Sequence, residues 1–270
     1  MSADQPTQAA VEIRELVGMA ELAESEQLQL DVWGRETLPD GRELLLAVQH
    51  AGGLVAGGFD SVGQMVGFIF AFPNSDPTVQ HSHRLAVRPA FRGQNIGAAL
   101  KWFQRAWCLP RGIRFVEWTA DPLRMPNANL NARILGATTS TYLLDYYGAM
   151  QGIDAGLPSD RFLIRWDLSS PRVSTLAAFT PPDTGFLDLP AANRIEDGLP
   201  TAPCLELNAP ALLVHIPADF VRLTAQDRPR AAAWREHTRQ LFSAYFARGY
   251  AIRGFTAAHA NAYLLERTTA

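Results

Sequence analysis

One segment constrains the fold more than any other: H-S-H-R-L-A-V-R-P-A-F-R-G-Q-N-I-G-A-A-L-K, His81 to Lys101. A strand ending at Val87 runs into the turn Arg92-Gly93-Gln94-Asn95-Ile96-Gly97, and the turn opens a helix. Ile96, Ala99, Leu100, Phe103 and Trp107 then fall at helical spacing until Pro110 and Gly112 stop the run. A helix start offers unpaired backbone N–H groups and the positive end of a dipole, which suits a pyrophosphate. Gly93 and Gly97 let the backbone approach without a Cβ, and Asn95 is the non-glycine residue that best tolerates a left-handed conformation. By itself the turn also fits an ordinary strand-to-helix loop.

The rest of the chain sets that segment in a mixed α/β frame. Residues 11–16 alternate like a strand, 19–33 read as an amphipathic helix, and 44–48 as the end of a second. Residues 54–59 and 64–72 form a hairpin around Asp60-Ser61-Val62-Gly63. A strand at 114–120, a helix at 127–135 stopped by Gly136, and strands at 138–146 and 161–168 follow. Such an order implies a sheet with helices on both faces. Residues 169–203, rich in proline, serine, threonine and aspartate, read as a linker or extended loop between a first domain, 11–168, and a smaller C-terminal α/β module, 204–270. Within the module we expect strands at 204–207, 211–216, 250–256 and 261–266 and a helix at 230–248.

Composition narrows the function. In 270 residues, 47% hydrophobic and 19% charged, a net charge of −3 argues against a nucleic-acid partner. Cys108 and Cys204 are too few for a disulfide framework, which fits a reducing compartment. Met1 to Ala10 lacks the layout of a signal peptide, and Asp60, Gln64 and the glycines break the most apolar stretch, 54–72, so a cytoplasmic protein without membrane partner is expected. Basic charge is almost wholly arginine, with Lys101 the only lysine, which we read as genome composition.

Residues 85–100 resemble the acetyl-CoA-binding motif of the GNAT superfamily of N-acyltransferases, R/Q-x-x-G-x-G/A after a strand, with Arg92, Asn95 and Gly97 at the motif positions and Asn95 replacing a glycine. A dinucleotide-binding turn fits less well, because no acidic ribose ligand follows in a strand-helix-strand unit. By order of elements the resemblance spans residues 11–168. It implies a mainly antiparallel GNAT-like sheet, and acetyl-CoA or another short acyl-CoA as co-substrate with no metal. The cofactor would sit at Leu85, Ala86, Val87, Arg92, Gly93, Gln94, Asn95, Ile96, Gly97 and Ala98, with Asn127 near the pantetheine arm. Residues 127–137, N-A-N-L-N-A-R-I-L-G-A, look like the later GNAT helix, yet Ala132 stands where the family often has its general-acid tyrosine. Tyr142, Tyr146 and Tyr147 could supply a hydroxyl or could be half-buried strand aromatics.

His81 and His83 flank Ser82 on one strand and so share a face, an even number of residues before Val87. They admit three readings: metal ligands, though no third ligand follows at suggestive spacing; inert buried histidines; or acid-base groups. H-S-H-R-L-A-V closely resembles the H-x-H-x-L-A-V stretch of the arylalkylamine N-acetyltransferases, in which the histidine pair accepts the amine proton, and this catalytic reading is preferred. Asp121, at the end of a strand in T-A-D-P, and Arg161, beside Asp160, are candidates for the acceptor site. The Arg161 guanidinium could fork onto a substrate carboxylate. The expectation is an N-acyltransferase that moves an acetyl or succinyl group directly to a small-molecule amine, an amino acid among the candidates, with a homodimer open. The rival is a CoA-binding regulatory module without catalysis.

Overall fold

The computed structural model describes residues 11–35, 38–150, 152–186, 188–258 and 260–268, so Met1 to Ala10 lie outside the described residues. The chain divides by contact into two compact units, 1–116 and 117–270.

The first unit holds β1 (Glu12–Glu15), α1 (Gly18–Trp33), α2 (Arg42–His50), β2 (Leu54–Phe59), β3 (Met65–Pro73), β4 (Val79–Val87) and α3 (Ile96–Cys108). The four strands lie in sequence order and every neighbour is antiparallel. Asp60 makes the β2–β3 turn: its Oδ1 accepts from the backbone N–H of Val62 at 3.0 Å and of Gln64 at 2.8 Å. Helices cover both faces. Leu22 and Leu28 of α1 and Leu45 and Val48 of α2 pack on Val55, Phe68, Phe70 and Ala86 in one core. On the other face α3 comes so near β3 that a Cβ at Gly67 would stand 2.9 Å from side-chain carbons of Ile96 and Leu100, which is why glycine is needed there.

The second unit begins within β5 (Phe115–Ala120) and continues through α4 (Met125–Ala128), a π-helical turn (Asn129–Ile134), β6 (Tyr142–Leu143) and β7 (Arg161–Asp167). Next come α5 (Pro171–Ala178), β8 (Ile195–Glu196), β9 (Leu199–Pro200), β10 (Ala211–His215), α6 (Phe220–Gln226), α7 (Arg228–Ala247), β11 (Tyr250–Thr256) and β12 (Ala262–Arg267). β7 lies between β5 and β6, while β12 is the centre of an antiparallel trio with β10 and β11. Residues 204–267 share this unit with β6 and β7, and Phe162 of β7 meets Phe242 of α7 edge to face at 4.7 Å between centroids.

The fold is thus mixed α/β with mainly antiparallel sheets and flanking helices, as the sequence leads one to expect. Three local expectations differ. The strand expected at 138–146 shrinks to Tyr142–Leu143, because Thr139 bridges to Ile252 and Asp145 takes a left-handed φ of 44°. The proline-rich stretch 169–203 contains α5, whose start is fixed by the Ser170 hydroxyl accepting from the Val173 N–H. No strand forms at 204–207, whose carbonyls accept from side chains instead: Cys204 from Tyr245 Oη at 2.7 Å and Leu207 from an Arg248 nitrogen at 2.9 Å.

Candidate active site

In the first unit the geometry of β4 decides where the histidines point. Its pairing with β3 runs Phe72 to His81, Ala71 to Ser82, then Phe70 to Arg84, so His83 is the extra residue of a β-bulge. His81 and His83 share a face as expected, with rings 6.1 Å apart. The bulge changes the parity beyond them. Leu85 and Val87 lie toward α3, within 3.8 and 3.9 Å of where a Cβ on Gly97 would stand, whereas the histidines line the face of Phe70 and Phe72. The even spacing to Val87 therefore does not carry the histidines onto its face.

Aromatic and charged neighbours set the imidazoles. His81 stacks on Phe72 at 5.0 Å, and His83 packs at 5.1 Å from Phe70 and 5.5 Å from Phe72. Partial burial of the His83 ring lowers its pKa below the ordinary 6.5; the nearby Asp40 carboxylate opposes this and Arg84 assists it. A neutral imidazole at pH 7 is the form that can take a proton. Arg84 and Asp40, which the sequence did not single out, form an ion pair at 2.5 Å beside the histidines, and the Arg84 guanidinium lies 4.9 Å from the Trp33 ring.

The turn after β4 takes the backbone form its residues favour. Gly93 has φ +80° and Asn95 φ 60° with ψ 12°, both left-handed. Asn95 ends as the residue before α3 without a side-chain hydrogen bond to the helix, and no acidic residue lies in the first turn. Ala99 N–H is the first to close onto the helix, on Asn95 O at 3.0 Å, so the amides of Ile96, Gly97 and Ala98 precede the first helical bond. Arg92 and Gln94 flank them, Arg92 exposed. Arg88, one residue after the strand, is committed to the fold: it donates to Met65 O at 2.7 Å and pairs with Asp31.

In the second unit, Asp121 is buried, and its carboxylate receives both arms of Arg235 at 2.8 and 2.9 Å plus the Leu123 N–H at 2.9 Å. Burial pushes the Asp121 pKa up, but the Arg235 fork outweighs it and the net shift is downward. Arg161 donates to Asp160 O at 2.8 Å, stands 3.9 Å from Asp121 Oδ2, and lies 5.2 Å from the Tyr147 ring. Its charge is thus partly met within the protein. Asn127 is exposed on α4, while Ala132 and Asn131 are buried in the π-helical turn. Tyr142 donates to Asp160 at 3.0 Å, and burial drives its pKa upward. Tyr146 and Tyr147 are exposed, with the Tyr147 hydroxyl 2.7 Å from Thr119 Oγ1. No group of three or more candidate metal ligands occurs among the described residues, and none of their helices is long and apolar enough to cross a membrane.

Comparisons with known proteins bear on this arrangement. Residues 11–137 match the acetyltransferase (GNAT) family. Among solved structures, the chain is similar to the ribosomal-protein-S18-alanine N-acetyltransferase from Escherichia coli, at 17% identity and TM-score 0.49 over 60% of this chain and 96% of that one. It is similar to aminoglycoside 6'-acetyltransferase type Ii at 18% identity and TM-score 0.49, covering 59% and 98% of the two chains. An aminoglycoside 6'-N-acetyltransferase complexed with coenzyme A gives 15% identity and TM-score 0.47 over 59% and 98%. No curated protein matches the sequence. The matched residues 11–137 span the bulged histidine strand and the left-handed turn alike, so this part of the chain is similar to the GNAT acetyltransferase family.

Proposed function

We propose that the protein is an acyl-CoA-dependent N-acyltransferase in which His81, assisted by His83, takes the proton of a small-molecule amine as it attacks the thioester directly. The observation that carries this reading is the β4 bulge, which presents both imidazoles side by side on the strand that feeds the α3 anion site. An amine is mostly protonated at neutral pH, its α-amino pKa being about 8. It must lose that proton before attack, and an unprotonated imidazole is suited to receive it. The CoA pyrophosphate would lie on the amides of residues 96–98, with Arg92 adding charge and Gly97 admitting the close approach. A backbone N–H near Val87 would meet the developing oxyanion.

The acyl group is acetyl or succinyl, and the acceptor an amino acid or similar amine whose carboxylate Arg161 recognises. Asp121, the other acceptor-site candidate, is held by Arg235. The test is a screen of acetyl-, propionyl- and succinyl-CoA against amino acids, arylalkylamines and polyamines, following thiol release. Amine-dependent release supports the reading. CoA binding without turnover would instead favour a regulatory module, and a best substrate lacking any carboxylate would remove the role of Arg161.

A further inference from the structure

Opposite the histidines, on the face of β4 that meets α3, the apolar interface holds a ladder of buried polar groups. Gln80 and Ser82 come from the strand; Lys101, Gln104 and Cys108 come from the helix, and all five are buried. Lys101 Nζ donates to Ser82 Oγ at 2.8 Å and to Gln104 Oε1 at 3.2 Å. Ser82 Oγ donates to the same Gln104 oxygen at 3.4 Å, Gln104 Nε2 to Gln80 Oε1 at 2.7 Å, and Cys108 Sγ to Gln80 Oε1 at 3.3 Å. The ladder is attached to the residue that immediately precedes the bulge.

We propose that the Lys101–Ser82–Gln104–Gln80 ladder locks the register of β4, making Lys101 a positioning residue that keeps the bulge at His83 and both imidazoles on the Phe70–Phe72 face. This rests on the histidine-base reading above. A side-chain period of two means that moving the bulge by one residue reverses the face of the neighbouring side chain. In this strand such a slip would turn Ser82 away from α3 and bring an imidazole in its place. The buried Lys101 ammonium would then lose its Ser82 acceptor, and an imidazole would be forced into the buried space against α3, both of which are costly. An apolar ladder would fill the same space without the hydrogen bonds that tie Ser82 to α3, and buried polar groups fix register in some proteins. The same helix carries the anion site at its N-terminus, so one set of bonds fixes that site and the base relative to each other.

The experiment uses the full chain carrying Ser82→Ala, Lys101→Met and Gln104→Leu together, which removes the links between strand and helix and leaves Gln80 Oε1 its contact with Cys108 Sγ. Three readouts are followed: urea unfolding, histidine titration by NMR, and amide hydrogen exchange along residues 79–87. His83 faces Asp40 of the α1–α2 loop, Arg84 and His81, all retained. The expected variant is folded, yet its β4 amides exchange at least tenfold faster and the His83 titration moves back toward the ordinary value. Where turnover is measurable, kcat falls at least tenfold while KM for acyl-CoA holds. Unchanged exchange and an unchanged His83 titration in the folded variant would overturn the proposal. If the triple variant does not fold, Ser82→Ala alone must accelerate β4 exchange, and its failure to do so refutes the lock equally. Loss of the catalytic reading would show separately, as normal turnover in a His81→Gln, His83→Gln variant.

Discussion

Replacing Lys101 with methionine gives a pH signature that follows from where the amine lies. Burial lowers its pKa from the ordinary 10.5 to about 7, with the neighbouring Cys108 opposing slightly. The unfolded chain therefore holds more protons than the folded one between those two values, and stability must rise with pH across that window. At pH 7 the buried amine is half protonated and its desolvation costs about 4 kcal/mol; at pH 9 the cost has fallen to about 2 kcal/mol. Methionine keeps the length and bulk of the side chain, does not titrate, and forfeits hydrogen bonds worth about 1 kcal/mol each at any pH in this range. Urea unfolding at pH 7, 8 and 9 should show wild type gaining about 2 kcal/mol on the variant from the first to the last. Cys108, whose thiol burial raises to about 12, pulls the other way above pH 9 but is present in both proteins, so the difference isolates the lysine. A difference that stays flat to within about 0.5 kcal/mol would show that Lys101 is not a buried, depressed amine.

Three further outcomes are expected. Gly97→Val, whose Cβ meets only ordinary contacts at 3.8 and 3.9 Å, should lose CoA affinity by calorimetry; unchanged affinity in the folded variant would move the pyrophosphate elsewhere. Asp121→Ala should destabilise by about 3 to 5 kcal/mol in urea titration by stranding the buried Arg235. A mild loss of stability with a large rise in KM would return Asp121 to substrate binding. Arg161→Gln should raise KM for a carboxylate-bearing acceptor by a factor corresponding to about 1.5 to 3 kcal/mol, with kcat for a carboxylate-free amine unchanged.

How much of this could be read in advance depends on whether the signal was local. The α3 boundaries, the left-handed Asn95 and the hairpin at Asp60 follow from residue types a few positions apart, and the structure has all three. The histidine pair also shared a face as alternation requires. What alternation could not give was the bulge, because an extra residue in a ladder is decided by the partner strand and the helix beneath it. The Arg84–Asp40 pair beside His83 was hidden for the same reason. Lys101 did leave a trace: the only lysine of the chain sits one position after Leu100, on the buried face of α3, where a composition argument passed over it. In the second unit, the partner of Asp121 lies 114 residues away, a separation no local pattern reports. Residues 204–207 looked like a strand because they alternate, but their carbonyls are taken by Tyr245 and Arg248 rather than by a neighbouring strand.

The central claim is that a CoA thioester is cleaved by an amine whose proton goes to the β4 histidines. A positioned base contributes about a hundred- to ten-thousandfold in rate. The direct measurement is amine-dependent thiol release, with CoA affinity alongside, for wild type and for the folded His81→Gln, His83→Gln variant. The account predicts CoA binding preserved, turnover down at least about a hundredfold, and an acidic limb in wild type that disappears in the variant. Near-normal turnover in that variant, with the acidic limb unmoved, would contradict it.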